Sequence, residues 1–220
     1  MKKKSAKPAR TLAWQIAEHH SKLTYRQVPE AGRHAMKRLL LDYLGVAIAG
    51  SQTESGVIAR EFANLQGKAP EATLIGGRER VPMAAASFAN AISCHSIELD
   101  DIDVLALFHF SPPVFSSALA VAEANGANGK DLLAALSAGC EVMERVSMAA
   151  NNDLRNRAFH TTPTCGVFGA TVAAGKLLKL TPEKMVSALG LAGAQSSGLM
   201  ECTVRRCKNA LIPARRRATA

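Results

Sequence analysis

The sequence has few aromatic residues and no cysteine pair of the metal-binding type. One tryptophan, two tyrosines and seven phenylalanines among 220 residues mean that a core must consist mainly of aliphatic and small side chains. The five cysteines are odd in number and form no CxxC pair, which is typical of reduced thiols and not of a disulfide framework or a zinc motif. These absences favour a protein of a reducing compartment.

Long apolar segments are also scarce. The longest run without a formal charge, 104–122, contains His109 and two prolines, so no membrane span is expected. The lysines near the first residue are not followed by an apolar segment, as a secretory signal would require. We therefore expect a soluble, cytoplasmic protein with no membrane partner.

The net charge of +9 is concentrated at the two ends of the chain. Residues 1–10 and 205–220 hold eleven of the 27 basic residues and none of the 18 acidic ones, so the remainder is slightly acidic. Like-charge runs at chain ends are usually solvated arms, and no nucleic-acid partner is expected. We predict a basic tail at 1–10, a helical domain at 11–201 and a second basic tail at 202–220.

Helical periodicity dominates between the tails, because apolar residues recur at spacings of three and four. It predicts helices over 12–21, 31–49, 54–66, 82–96, 113–124, 130–149, 166–179 and 182–193. The one compact strand signal, at 72–75, cannot form a sheet alone. The predicted fold class is all-α, a helical bundle in which alanine, glycine and serine let helices approach closely.

The densest polar cluster combines four carboxylates with two imidazoles, at His95, Glu98, Asp100, Asp101, Asp103 and His109. Crowded carboxylates repel one another, so partial burial would raise at least one pKa, and such groups suit general acid–base catalysis. A solvated acidic loop is the alternative, although the interleaved apolar residues favour a loop held against a core. A metal site at His95, Glu98 and Asp101, spaced to share a helix face, is a weaker alternative.

A second candidate site lies in the segment 159–166. Here His160, Thr162 and Thr164 precede a small-residue helix predicted to begin near Gly166. A helix N-terminus with hydroxyl groups beside it suits a carboxylate ligand. The alternative for His160 is a packed or capping residue.

Six segments in a fixed order resemble the MmgE/PrpD family, which includes 2-methylcitrate dehydratase, cis-aconitate decarboxylase and an iminodisuccinate epimerase. They are 37–51, 95–101, 109–114, 129–136, 159–169 and 189–201. The resemblance implies a helical domain that dimerises and that is followed in typical members by an α+β lid domain. It also implies a site that needs neither metal nor another cofactor.

The resemblance assigns roles by position. It implies that His160, His109, Asp100 and Asp101 are catalytic, and that His95, Glu98, Thr162 and Thr164 bind substrate. The implied activity is that of a lyase or isomerase that transfers protons on a small di- or tricarboxylate such as 2-methylcitrate or cis-aconitate.

Typical members of the family are much longer, and residues 202–220 do not follow their pattern. We therefore expect a truncated member without the lid domain. The alternative to an active enzyme is an inactive helical fragment that acts only as an oligomer or as a partner subunit.

Overall fold

The computed structural model describes residues 10–150 and 153–200. Within these ranges the chain forms nine α-helices, one π-helical turn and two short strands. The helices are α1 (Leu12–Lys22), α2 (Glu30–Gly50), α3 (Glu54–Leu65), α4 (Met83–His95), α5 (Ser116–Ala124), α6 (Gly129–Ala150), α7 (Asp153–Asn156), α8 (Thr161–Leu177) and α9 (Pro182–Gln195). The predicted all-α class is confirmed. Among the described helices, none combines the length and apolar character needed to cross a membrane.

The two strands form a single small hairpin that packs beside α5. Strands β1 (Ala72–Thr73) and β2 (Arg80–Val81) pair antiparallel, where the sequence predicted one unpaired strand. The carboxylate of Glu123 on α5 accepts bonds from both the N–H and the hydroxyl of Thr73, at 2.9 and 2.7 Å. The hairpin is therefore an attachment to the bundle and not a second layer.

The helix starts follow from local sequence. Thr181 caps α9 by accepting the backbone N–H of Lys184, and Pro182 occupies the first helical position, as predicted. Helix α8 begins at Thr161 and not near Gly166. The early start is possible because Pro163 falls in the first turn, where a backbone N–H needs no helical partner.

A π-helical turn, Ser111–Phe115, precedes α5 where an ordinary helix from 113 was predicted. The N–H of Ser116 bonds to the carbonyl of Ser111, five residues back. Two consecutive prolines, Pro112 and Pro113, lie inside this turn and supply no backbone donors, which favours irregular pairing.

Helices α6 and α8 cross at the centre of the bundle through two glycines. A Cβ atom added to Gly139 would lie 2.7 Å from the carbonyl oxygen of Gly169, and one added to Gly169 would lie 2.7 Å from the carbonyl of Gly139. Backbone atoms cannot move aside as a flexible side chain can. The small residues predicted to let helices approach closely therefore do so here.

This contact predicts opposite effects for two glycine substitutions. Gly169→Ala should destabilise the fold by about 1–3 kcal/mol, because the methyl group overpacks a backbone contact. Gly190→Ala on the exposed face of α9 meets nothing within 4 Å and should stabilise it by up to about 1 kcal/mol through helix propensity. Urea unfolding midpoints measure both. Equal effects of the two substitutions would contradict the close α6–α8 contact.

Candidate active site

Helix α4 ends at His95, and the chain then turns back on itself. Glu98 has a positive φ of 55° and donates its N–H to the carbonyl of His95 at 3.3 Å. This turn brings Asp100 beside the ring of His95. The alternative metal site on one helix face is wrong, because Glu98 and Asp101 lie beyond the end of the helix.

The carboxylate of Asp100 is the buried centre of the site. Its side chain has no exposed surface, and Oδ2 lies 3.0 Å from Nδ1 of His95 and 3.3 Å from Nδ1 of His109. An ionised carboxylate only accepts hydrogen bonds, so each Nδ1 carries a proton. The two rings contact each other edge to face, with centroids 5.0 Å apart.

A second acceptor fixes the orientation of His109. Its Nδ1 lies 2.6 Å from the backbone carbonyl of Asp101, which can only accept. When His109 is neutral, Nε2 must therefore hold the lone pair. The backbone N–H of His109 donates to Thr162 Oγ1 at 3.1 Å, and this bond joins the loop to the start of α8.

Asp101 holds the backbone of the segment that carries His109. Its two carboxylate oxygens accept the N–H groups of Phe110 and Ser111, at 2.9 and 3.0 Å. Both carboxylate oxygens are thus engaged by the start of the π-helical turn. This arrangement positions His109 and does not direct the carboxylate at a ligand.

His160 lies directly before the first residue of α8. Its N–H donates to the carbonyl of Gly198 at 3.0 Å, and its own carbonyl accepts the hydroxyl of Thr164 at 2.8 Å. Burial lowers the pKa of His160, and the neighbouring His95 and His109 lower it further. The neutral form of His160 is therefore favoured near neutral pH.

The loop around Asp100 forms an exposed apolar rim, which we define as Leu99, Ile102, Val104 and Leu105. Their side chains are 60–75% exposed, so the expectation that this loop packs its apolar residues against the core is wrong for these four. The side-chain carboxylate of Asp103 holds this part of the loop, because its Oδ1 accepts the N–H groups of residues 105 and 106.

All eight sequence-predicted residues lie in one connected region. Hydrogen bonds or short charge contacts link His95, Glu98, Asp100, Asp101, His109 and Thr162. Thr164 and His160 are bonded to each other at the start of the same helix as Thr162, and the charges of His95 and His109 influence the pKa of His160. Glu98 lies at the edge, half exposed, with Oε1 3.6 Å from Nε2 of His95. Their catalytic and binding roles stay predictions.

Sequence reasoning missed the part played by the segment after α9. The carbonyl of Gly198 accepts from His160, and Ser196 Oγ donates to the carbonyl of Thr164 at 2.8 Å. Neither residue carries an ionisable group, so only the serine- and glycine-rich composition of 196–198 could have drawn attention to it.

One donor set in the site has a spacing that a divalent cation could use. The donor atoms of His95, Asp100 and His109 lie within 4.8 Å of one another. The hydrogen bonds described above already account for the same atoms. The expectation of a metal-free and cofactor-free site stays a prediction.

The fold and the site together define a class of protein, a helical domain with a buried carboxylate–histidine cluster suited to proton transfer. Residues 14–216 match the MmgE/PrpD N-terminal domain. The chain belongs to the MmgE/PrpD family, as the sequence segments implied.

Several curated relatives share the name cis-aconitate decarboxylase. The human protein is 34% identical over 163 residues, which is 71% of this chain and 34% of that protein. The Aspergillus terreus protein is 30% identical over 193 residues, or 84% of this chain and 39% of that protein. The cis-aconitate decarboxylase-like protein oryM of Aspergillus oryzae is 31% identical over 186 residues, which is 79% of this chain and 39% of that protein. The chain thus spans less than two fifths of the length of these relatives.

The charges around His160 predict how its pKa responds to substitution. The groups that act on it are His95, His109 and Arg155, which lower the pKa, and Glu98, which raises it. Arg155→Gln removes a positive charge that opposes protonation, so the pKa of His160 should rise towards its ordinary value.

Arg157→Gln is the matched control, because Arg157 is also exposed on the same short segment but is not among the groups that shift His160. Titration of the His160 ring signals by NMR measures the effect. A wild-type pKa at or above the ordinary histidine range of about 6.5 would contradict the burial of this ring.

Proposed function

We propose that this chain supplies the helical part of a lyase or isomerase that transfers a proton on a small di- or tricarboxylate. The observation that carries the proposal is Asp100, a fully buried carboxylate that lies against the Nδ1 atoms of two histidines. The names of the relatives make cis-aconitate the first substrate to test.

His109 has the geometry of a general acid–base group. With its Nδ1 proton held by Asp100 and the Asp101 carbonyl, Nε2 is the atom that can take up or release a proton. A buried carboxylate next to Nδ1–H stabilises the imidazolium that forms when Nε2 accepts a proton. Asp100 thus acts through His109 and His95, and Asp101 positions the loop.

The start of α8 offers a binding place for a substrate carboxylate. The first turn of a helix has backbone N–H groups without helical partners and a favourable dipole. Thr162 Oγ1 accepts from the His109 backbone, so its own proton can be donated to a ligand. Thr164 instead donates its proton to the carbonyl of His160, which assigns it a positioning role.

His160 lies between the proton-transfer site and the carboxylate-binding place, since it directly precedes α8 and its pKa is lowered by the charges of His95 and His109. Its lowered pKa keeps a neutral imidazole available near neutral pH. In this proposal, dehydration and epimerisation use one histidine to remove the proton next to a substrate carboxylate and another to donate a proton, to the departing hydroxyl as water or to the opposite face of the same carbon. Decarboxylation needs only the donating histidine, because breaking the C–C bond releases carbon dioxide and leaves the electron pair that the donated proton takes up.

The apolar rim favours a second candidate function, that of a partner subunit without its own activity. Four large apolar side chains exposed next to a polar site are typical of a surface that another protein covers. In this case the chain would contribute His109 and His160 to a site completed by another polypeptide.

The proposal predicts different effects for two aspartates in one loop. Asp100→Asn should lower kcat for cis-aconitate about 10²–10⁴-fold, because the imidazolium loses its buried counter-charge. Asp103→Asn should change kcat by only a few fold, since Asp103 bonds only to loop backbone. Substrate loss and carbon dioxide release are measured, with citrate and 2-methylcitrate as further substrates.

Circular dichroism and unfolding curves establish that both variants fold. Equal activity of Asp100→Asn and wild type would contradict the proposed role of the buried carboxylate. A folded wild-type chain with no turnover of any of the acids would contradict independent activity and favour the partner-subunit function.

A further inference from the structure

A second carboxylate–histidine cluster shares no residue with the candidate active site. It consists of His19 and His20, near the end of α1, and Glu141 on α6. The donor atoms of these three side chains lie within 4.8 Å of one another. None of the proposed catalytic or substrate-binding residues belongs to this cluster.

His20 is the least satisfied member of the cluster. The residue is only 3% exposed, and its Nδ1 atom is buried without a hydrogen-bond partner among the described residues. A buried polar atom in this state destabilises the fold unless a ligand or water satisfies it. Burial also lowers the pKa of His20 to about 4, so the ring is neutral at physiological pH and retains a lone pair.

One carboxylate oxygen of Glu141, Oε1, already accepts hydrogen bonds, and the other, Oε2, can bind a ligand. Both of its bonds from Arg145, at 2.9 and 2.6 Å, fall on Oε1. Across the described residues, no ion pair joins Glu141 to His19 or His20, although their donor atoms are close. The carboxylate thus lies near the two rings without forming an ion pair with them.

The neighbouring cations do not block the cluster. The amine of Lys176 on α8 donates to the backbone carbonyls of His20 and Ser21, at 3.2 and 3.4 Å. Arg145 is held by Glu141 Oε1 and is largely exposed. The two cations offset part of the carboxylate charge, while neutral imidazoles bind metal without needing to lose a proton.

We propose that His19, His20 and Glu141 bind a zinc ion that links α1 to α6. Two imidazoles and a carboxylate are a common zinc donor set, with water in the fourth position. Tetrahedral ligands at about 2.0–2.1 Å from zinc lie about 3.3 Å apart, so the donors must close by about 1.5 Å at most. His19 is exposed and Glu141 is partly exposed, so both side chains have room to turn.

The test uses the full chain, dialysed against a chelator and titrated with Zn²⁺ alone in a calorimeter. We expect one zinc ion per chain, with an affinity that falls at least about tenfold in His19→Ala and in Glu141→Gln. His19 is exposed and Glu141→Gln is isosteric, so both variants should fold, whereas removal of the buried His20 would create a cavity.

Two controls separate this site from other histidines. His34→Ala removes an exposed histidine on α2, and Asp100→Asn disrupts the other cluster of donors, so neither should alter the zinc affinity. Cobalt substitution should give a visible spectrum without a strong thiolate charge-transfer band, which excludes binding to cysteines. The proposal is wrong if no stoichiometric zinc binds, or if binding survives in both His19→Ala and Glu141→Gln.

Discussion

The close contact of α6 with α8 is the constraint on which the rest of the structure depends. Where the helices cross, Gly139 and Gly169 leave no room for a methyl group, and the two backbones approach directly. This contact fixes α8 along its length, and therefore also fixes its first turn. Because Thr162 in that turn accepts the backbone N–H of His109, the packing of two glycines at the centre determines where a histidine lies at the edge.

Asp100 determines the position of the loop, as Gly139 and Gly169 determine the position of α6 and α8. A buried carboxylate is unfavourable without hydrogen-bond donors, so the folded loop must bring His95 and His109 to it. The same requirement fixes the tautomer of both rings. Stability and chemistry are thus coupled here, since the bonds that satisfy a buried charge are also those that leave Nε2 of His109 as the proton-transfer atom.

Periodicity predicted the longer helices because each of them buries an apolar or small-residue face, whereas the four-residue α7 buries none and was missed. The start of α9 followed from Thr181 and Pro182 alone. The start of α8 was predicted near Gly166, where the small-residue pattern begins, but the helix begins at Thr161, since Pro163 in the first turn loses no helical bond. The exposure of Leu105 was missed because alternating apolar residues indicate burial only if something covers them. Bonds to the backbone carbonyls of Asp101 and Gly198 depend on tertiary geometry, which residue types do not encode.

The two carboxylate–histidine clusters contain similar residues but differ in how their donors are satisfied. In the candidate active site, the buried carboxylate is already bonded to both Nδ1 atoms, which holds the rings ready to exchange protons at Nε2. At the end of α1, the imidazole is the buried group, Nδ1 of His20 has no hydrogen-bond partner in the part of the chain that the structure describes, and the carboxylate of Glu141 is bonded to Arg145. A satisfied cluster suits proton transfer, whereas a cluster with an unsatisfied, neutral imidazole at His20 suits a cation. Hydrogen-bond satisfaction, more than composition, therefore separates the two proposed roles.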